Sequence, residues 1–368
     1  MAEIIFALPY DPNFAWCAGW GVLLEAMRRQ AASHPPYIEM RHDPAWGSGT
    51  FPIDFPSPLL TMVQSINMLP LWSHLRSTSR NVGIAVPVEA LELPRYILNA
   101  HRYFDRLVSN SSWSAAMIRA AGFSDVTTII HGPDPQFTPL QFEMRSREAF
   151  TIFSAGKLEL RKSQDIVIQA VGHMMQAHKD VRFICDWYNP WPETAKSIQA
   201  TALYREHQGK STASIMRACG IDFARTRMLQ TESATVEEHT SEKLEAMRVC
   251  DVGIFPNRAE ACCNSMMCET MACGKPVVAL YAHGQADVLN KDDPCICTSY
   301  EPLTVSNGKY ATSEWFEPNL DEFIAKLEWA YSHRDRLWDI GMANVERFFP
   351  FNIDSVASQY LSVCGGSN

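Results

Sequence analysis

Residues 257–280, NRAEACCNSMMCETMACGKPVVAL, place four cysteines, two glutamates and a Gly-Lys-Pro turn between two apolar runs. Thiols and carboxylates at close spacing raise metal ligation first. Cys262, Cys263, Cys268 and Cys273 follow one another at intervals of one, five and five. Zinc sites instead pair ligands a few residues apart, with a second such pair further on. On a helix, Cys268 and Cys273 would stand about 140° apart and would not converge. The four read as small buried apolar residues, the common state of free cysteine. Phosphate chemistry fits better. A loop from Asn257 to Asn264 leads into a helix capped by Asn264 or Ser265. The free N–H groups of such a helix start, around Ser265 and Met266, attract anions. Upstream, SAGKLELRKSQDIVIQA (154–170) sets Lys157 and Lys162 five residues apart in a loop after a strand, where both can face one diphosphate.

These groups need a scaffold, and the chain alternates strand and helix patterns throughout. EIIFALP, NVGIAVP and VTTIIHG read as strands, with helices at GWGVLLEAMRRQAA and around RYFDRL and SSWSAAMIRAAG. Ser111 or Ser112 starts the last helix and Gly122 ends it. A second series begins at FTIFSAGK and continues through VRFICDWYN, DVGIFPN and KPVVALY, with helices between them. Residues 44–75, rich in Pro and Trp, fit no element, and 193–222 read as a helical excursion. Residues 139–149 have a linker's character. Two βα series imply an α/β protein with two Rossmann-like domains. The expected division is 1–140 for the first and 150–345 for the second, with a terminal helix at about 350–368 packing back on the first. Ligands of open α/β sheets sit beyond the carboxyl ends of the strands, and the loop after Phe255 is at such an end.

Composition narrows the class. The 368 residues carry a net charge of -9, which excludes a general nucleic-acid binder. Residues 1–150 contain no lysine, and their 11 Arg face 13 Asp plus Glu. That balance allows at most a weak peripheral membrane contact. The opening MAEIIFALPY has no basic region of a signal peptide, and no run is long enough for a spanning helix. Eleven scattered cysteines, an odd number, suit reduced thiols in the cytoplasm.

Three stretches carry a resemblance. CDVGIFPNRAEACCNSMMCETMACGKPVVAL resembles the signature of retaining GT-B glycosyltransferases of the family 4 type, with Glu260 and Glu269 at its two glutamate positions. The spacing is nine, and Ala261, Cys262 and Cys263 stand where glycines are usual. SAGKLELRKSQDIVIQA is similar to the same family's cation loop, with Lys157 in place of Arg and Lys162 at the lysine position. LVSNSSWSAAMIRAAGFSDVTTIIHGPDPQFTP resembles the family's first-domain exit, where Asp134 shapes a turn and His131 reads as structural. Gly19 and Gly21 resemble the glycine-rich first loop, placed just before a helix.

The resemblance implies a GT-B fold, two Rossmann-like domains facing across a cleft, and transfer of a sugar from a nucleotide diphosphate sugar with retained configuration. It implies no metal and no cofactor beyond that donor substrate. Lys157, Lys162 and Glu260 would act on the reacting centre. Gly19, Gly21, Glu89, Asn264, Ser265, Met266 and Glu269 would bind donor or acceptor, Glu269 through the ribose hydroxyls. The acceptor stays unknown: glycan, lipid or small molecule. The alternative is a non-catalytic protein of the same fold that binds a nucleotide sugar or a partner transferase. The replaced glycines favour that alternative, and the retained glutamates and Lys162 oppose it.

Overall fold

The structure, a computed structural model, describes residues 4–9, 15–30, 37–40, 53–64, 67–85, 93–139, 148–189, 191–229, 236–305 and 313–365. Short apolar runs become strands, and those at the centre of each sheet, such as Leu59–Met62, Asn81–Ala85 and Val252–Phe255, are buried at every position, as parallel sheets covered by helices require. In the first part of the chain these are β1 (Ile5–Pro9), β2 (Tyr37–Met40), β3 (Ile53–Phe55), β4 (Leu59–Met62), β5 (Leu75–Ser77), β6 (Asn81–Ala85), β7 (Arg106–Ser109) and β8 (Val126–Thr128). Six of them form one parallel sheet in the order β2-β1-β4-β6-β7-β8, while β3 and β5 pair separately. A second six-stranded parallel sheet follows. It contains β9 (Phe150–Ala155), β10 (Val181–Asp186), β11 (Thr226–Met228), β12 (Val252–Phe255), β13 (Val277–Leu280) and β14 (Ile296–Cys297). Its order is β11-β10-β9-β12-β13-β14, the doubly wound arrangement in which strand order reverses between β9 and β12. An antiparallel ribbon, β15 (Tyr300–Val305) with β16 (Ser313–Pro318), is appended.

The helices cover the sheets. In chain order they are α1 (Ala15–Gln30), α2 (Leu93–Tyr103), α3 (Ser112–Ala120), α4 (Gln164–Ala177), α5 (Pro192–Ala195), α6 (Ala202–Glu206) and α7 (Thr212–Ala218). Next come α8 (Val236–Val249), α9 (Ser265–Ala272), α10 (Leu320–Ser332), α11 (Leu337–Arg347) and α12 (Ile353–Gly365). On one face of the second sheet, Ile152, Phe183 and Ile254 pack against Ile168 and Val171 of α4 and Phe323 and Leu327 of α10. On the other, Phe153 and Phe255 meet Met247 of α8 and Met267 and Met271 of α9. Each such side chain contributes about 1.5–3 kcal/mol by leaving water.

The last helix joins the first sheet. Val356 and Tyr360 of α12 share a core with Phe6, Leu8 and Ile84, together with Leu23 and Met27 of α1. Pro350 sits in the short turn Phe349–Phe351 that separates α11 from α12. There the N–H of Gly132 donates to the Phe351 carbonyl at 3.1 Å. A Cβ at 132 would lie 2.2 Å from that oxygen, so only glycine allows the approach. His131 beside it is 2.8 Å from the Tyr360 hydroxyl, and burial pushes its imidazole down to about 4. It is a neutral packing group, tying β8's exit to α12.

Three sequence expectations change. Residues 44–75, which fit no element, include β4 at the centre of the first sheet. LLTM is buried at all four positions, so it shows no alternation to read. Gly19 and Gly21 do not precede a helix; they lie inside α1, which begins at Ala15. Packing of Leu23, Leu24, Ala26 and Met27 outweighs a glycine penalty of about 1 kcal/mol each. The β15–β16 ribbon was not anticipated.

Candidate active site

The strand-order reversal puts two loops side by side, one after β9 and one after β12. The first passes Gly156 and Lys157, makes a tight turn at Leu160–Lys162, and enters α4 through Ser163 in the left-handed region (φ 59°). The second runs Pro256–Asn257–Arg258–Ala259–Glu260. Arg258 stitches them together. Its backbone N–H donates to the Arg161 carbonyl at 2.9 Å and to Ser163 Oγ at 3.1 Å. Its buried guanidinium donates to both oxygens of Asp165 at 2.8 Å and to Glu317 of β16 at 2.6 and 2.8 Å. Burial opposes that charge, but the two carboxylates outweigh it and push the guanidinium further up.

Glu260 is buried at the meeting point. Arg161 Nη1 donates to its Oε2 at 2.9 Å, and Asn257 Nδ2 to Oε1 at 2.5 Å. Lys162 Nζ closes on the same Oε1. Burial alone would raise this carboxyl; Lys162 and Arg161 overcome it and hold the group below the ordinary carboxylate value. Arg161 also pairs with Glu159 at 2.8 Å. Lys157 turns elsewhere, its Nζ 4.2 Å from the Trp191 ring centroid. Burial lowers its ammonium, Arg161 and Lys162 push it down further, and Glu159 and Glu260 partly restore it. Arg258 is taken up by Asp165 and Glu317, while Lys157, Arg161 and Lys162 face Glu159 and Glu260, so the cations gathered around Glu260 exceed the carboxylates there by one, a setting for an anionic ligand.

A second polar group lies along the same sheet edge. Glu269, in the second turn of α9, has Lys243 Nζ of α8 3.0 Å from Oε2. Burial, with Asp134 and Asp186 nearby, raises this carboxyl, and Lys243 only partly offsets them. Asp186 ends β10, and its Oδ2 is 3.0 Å from Nε2 of His239. Oδ1 of Asp186 and Nδ1 of His239 are buried and lack a hydrogen-bond partner among the described residues, whereas Oε2 of Glu269 is held by Lys243. Native structures rarely leave such atoms without a partner, so they mark a place for a ligand or water.

No protein-family model matches the chain. Solved structures do. The Anabaena protein HepE, in complex with UDP and glucose, superposes with a TM-score of 0.63 over 100% of both chains at 13% identity. A glycosyltransferase from Rickettsia africae gives 0.63 over 98% of this chain and 97% of that one, at 11% identity. The UDP-forming α,α-trehalose-phosphate synthase of Burkholderia xenovorans gives 0.56 over 78% and 69%, at 13% identity.

The fold is GT-B.

One curated sequence is also similar: polyribonucleotide nucleotidyltransferase of Parabacteroides distasonis, 34% identical over 121 residues, which is 32% of this chain and 15% of that protein. A match spanning so little of that protein carries no activity across.

In this GT-B chain, Lys162, Glu260 and the start of α9 come to one sheet edge, with Glu269 one turn further along α9. Asn264 stands at the start of α9, but its Nδ2 donates to Gln285 Oε1 at 3.2 Å and its side chain caps nothing. Ser265 is exposed in the first turn, and Met266 packs partly into the core. Gly19 and Gly21 sit in α1, and no described contact joins them to these loops. Glu89 lies outside the described residues. The partner of Lys162 on Glu260 is Arg161 rather than Lys157. Residues adjacent in sequence usually diverge on a helix, but this tight turn brings both to one carboxylate. Asp186, His239 and Lys243 carried no motif. A charged residue closing the buried strand VRFICD was the one available signal for Asp186. Among the described residues no cluster of His, Cys, Asp and Glu is arranged to hold a metal ion, and no helix is long and apolar enough to cross a membrane. Cys263, Cys268 and Cys273 are buried and Cys262 is partly buried, none of them in a disulfide.

Proposed function

We propose that this chain is a retaining glycosyltransferase of the family 4 type, moving a sugar from a nucleotide diphosphate sugar to a glycan, lipid or small-molecule acceptor without a metal. The observation that carries the reading is the convergence of Lys162 and Arg161 on buried Glu260 at the switch point of the second GT-B sheet. Charge grows on the leaving phosphate as the sugar departs, and cations held in place beforehand act where it grows. Lys157, at the rim, adds to that field. The start of α9 at Ser265 offers N–H groups to the same diphosphate. Glu260 exchanges its cations for sugar hydroxyls when the phosphates arrive. Glu269 accepts from the ribose hydroxyls, and the unpartnered Oδ1 of Asp186 suits a ligand rich in donors. Buried free thiols favour a reducing compartment, the cytoplasm.

The rival reading, a non-catalytic binder, draws on Ala261, Cys262 and Cys263 in the glycine positions. A thermal-shift screen against UDP-, GDP-, ADP- and TDP-sugars separates them, because a ligand of the folded state raises the melting temperature. UDP-glucose comes first, given the UDP and glucose in the HepE structure. The transferase reading expects one donor to stabilise the protein and to be consumed, with the product's anomeric configuration retained. Binding of UDP without consumption of any UDP-sugar supports the rival; no nucleotide binding at all rejects the transferase reading and leaves only the rival's partner-transferase form.

A further inference from the structure

The backbone that follows Glu260 is held by the other lobe. The Ala261 carbonyl accepts Ser114 Oγ at 2.7 Å and also the Ser111 hydroxyl, both from the start of α3. Ser112 gives its N–H, at 2.6 Å, and its hydroxyl to Asp287, which sits on the positive end of that helix. Trp113 meets His283 edge-on at 4.8 Å, and His283 stacks on Phe316 of β16 at 4.5 Å. Cys263 Sγ lies 3.9 Å from the Asn110 carbonyl across the same seam. The Glu260 carbonyl accepts the N–H of Gly284 at 2.9 Å. A Cβ at 284 would stand 2.6 Å from the Cys262 carbonyl oxygen, so the close approach of this loop is made by Gly284 rather than by a glycine within the loop. The missing loop glycines thus have a structural counterpart. Ala261 and Cys262 pack against the first lobe and Cys263 against the second, and the carbonyls of Ala261 and Cys263 are already engaged, the latter by Cys268 Sγ at 3.2 Å.

The cations that meet Glu260 come from the second lobe, whereas the peptide after Glu260 is fixed from the first. We infer that Ser111, Ser114 and Asp287 are positioning residues: an interlobe lock that sets Glu260 for the sugar when the lobes close and releases it when they part. The inference rests on the proposed role of Glu260. Each hydroxyl–carbonyl bond is modest in net strength because water replaces it on opening, so the lock is reversible.

Two measurements test it. Cys263 lies behind the lock, and its alkylation by iodoacetamide, resolved by mass spectrometry, reports opening without any donor. Ser114→Ala and Asp287→Ala should speed alkylation of Cys263 by on the order of tenfold through local opening, with Cys185 in the second core still protected. Asp287→Asn, which keeps an acceptor for Ser112, should restore most of the protection. Unchanged Cys263 rates, or equal exposure of Cys185, overturn the lock. With a donor in hand, the same two variants should lose about tenfold or more in kcat while UDP affinity stays within about twofold. Unchanged kcat, or an equal loss of UDP affinity, also overturns it. A wild-type protein that consumes no donor counts against the transferase reading, and the alkylation result still decides the lock.

Discussion

Glu260 and Glu269 are nine residues apart and both lie in the interior of the second lobe, yet their carboxyls shift in opposite directions. Glu260 meets Arg161, Lys162 and Asn257, and the two cations overcome burial. Glu269 meets one cation, Lys243, and stands near two further carboxylates, Asp134 and Asp186. Burial sets the same opposing term for both; the neighbours decide the sign. The difference divides the edge of the sheet into a positive end suited to phosphate and an acceptor-rich end suited to hydroxyl and N–H donors.

The largest expected effect strikes the positive end. Lys162→Ala should lower kcat on the order of 10²–10³-fold, the usual loss when a preorganised charge stabiliser is removed. Steady-state kinetics with near wild-type turnover would dissolve the distinction between the two ends. Next, Glu260→Gln and Glu269→Gln should part company in calorimetry with uridine. The Glu269 variant should bind uridine about tenfold more weakly, through loss of a charged acceptor, and the Glu260 variant should bind it like wild type. Equal losses in the two would merge the ends into one. Lys157→Ala should cost about tenfold or less in kcat, because its ammonium lies over Trp191 rather than on Glu260.

The smallest effect is on stability against pH. Glu260, held low when folded, contributes stability above the ordinary carboxylate value that is lost as pH falls through its folded value. Glu269, held high, binds its proton more tightly folded than unfolded. Its contribution favours the fold at low pH and declines as pH rises through that raised value. Melting curves across the acid range should therefore respond with opposite signs to Glu260→Gln and Glu269→Gln. Responses of the same sign would show that the neighbours do not set the difference.

Much of the framework was legible in the chain. Apolar runs such as FTIFSA and VRFICD, separated by helical periodicity, announce a parallel α/β sheet because buried strands must be apolar on both faces. The glutamates and Lys162 were singled out by the motifs that resemble the family 4 signature, because each motif is local even though Lys162 and Glu260 stand 98 residues apart. β4 was not, because four buried residues in a Pro-rich region carry no period. Gly19 and Gly21 were misplaced because helix boundaries follow packing more than propensity.

What the sequence alone determined is therefore the α/β class and the two-series order, with Lys162, Glu260 and Glu269 named as candidates only through the resemblance. The tertiary structure alone decided their partners. Lys162 and Arg161 reach Glu260 from about a hundred residues away, and Ser111 reaches Ala261 across 150. Patterns of three or four residues record which face is buried. They do not record which distant charge or hydroxyl the fold sets opposite, and at this edge that pairing decides which carboxyl falls and which rises.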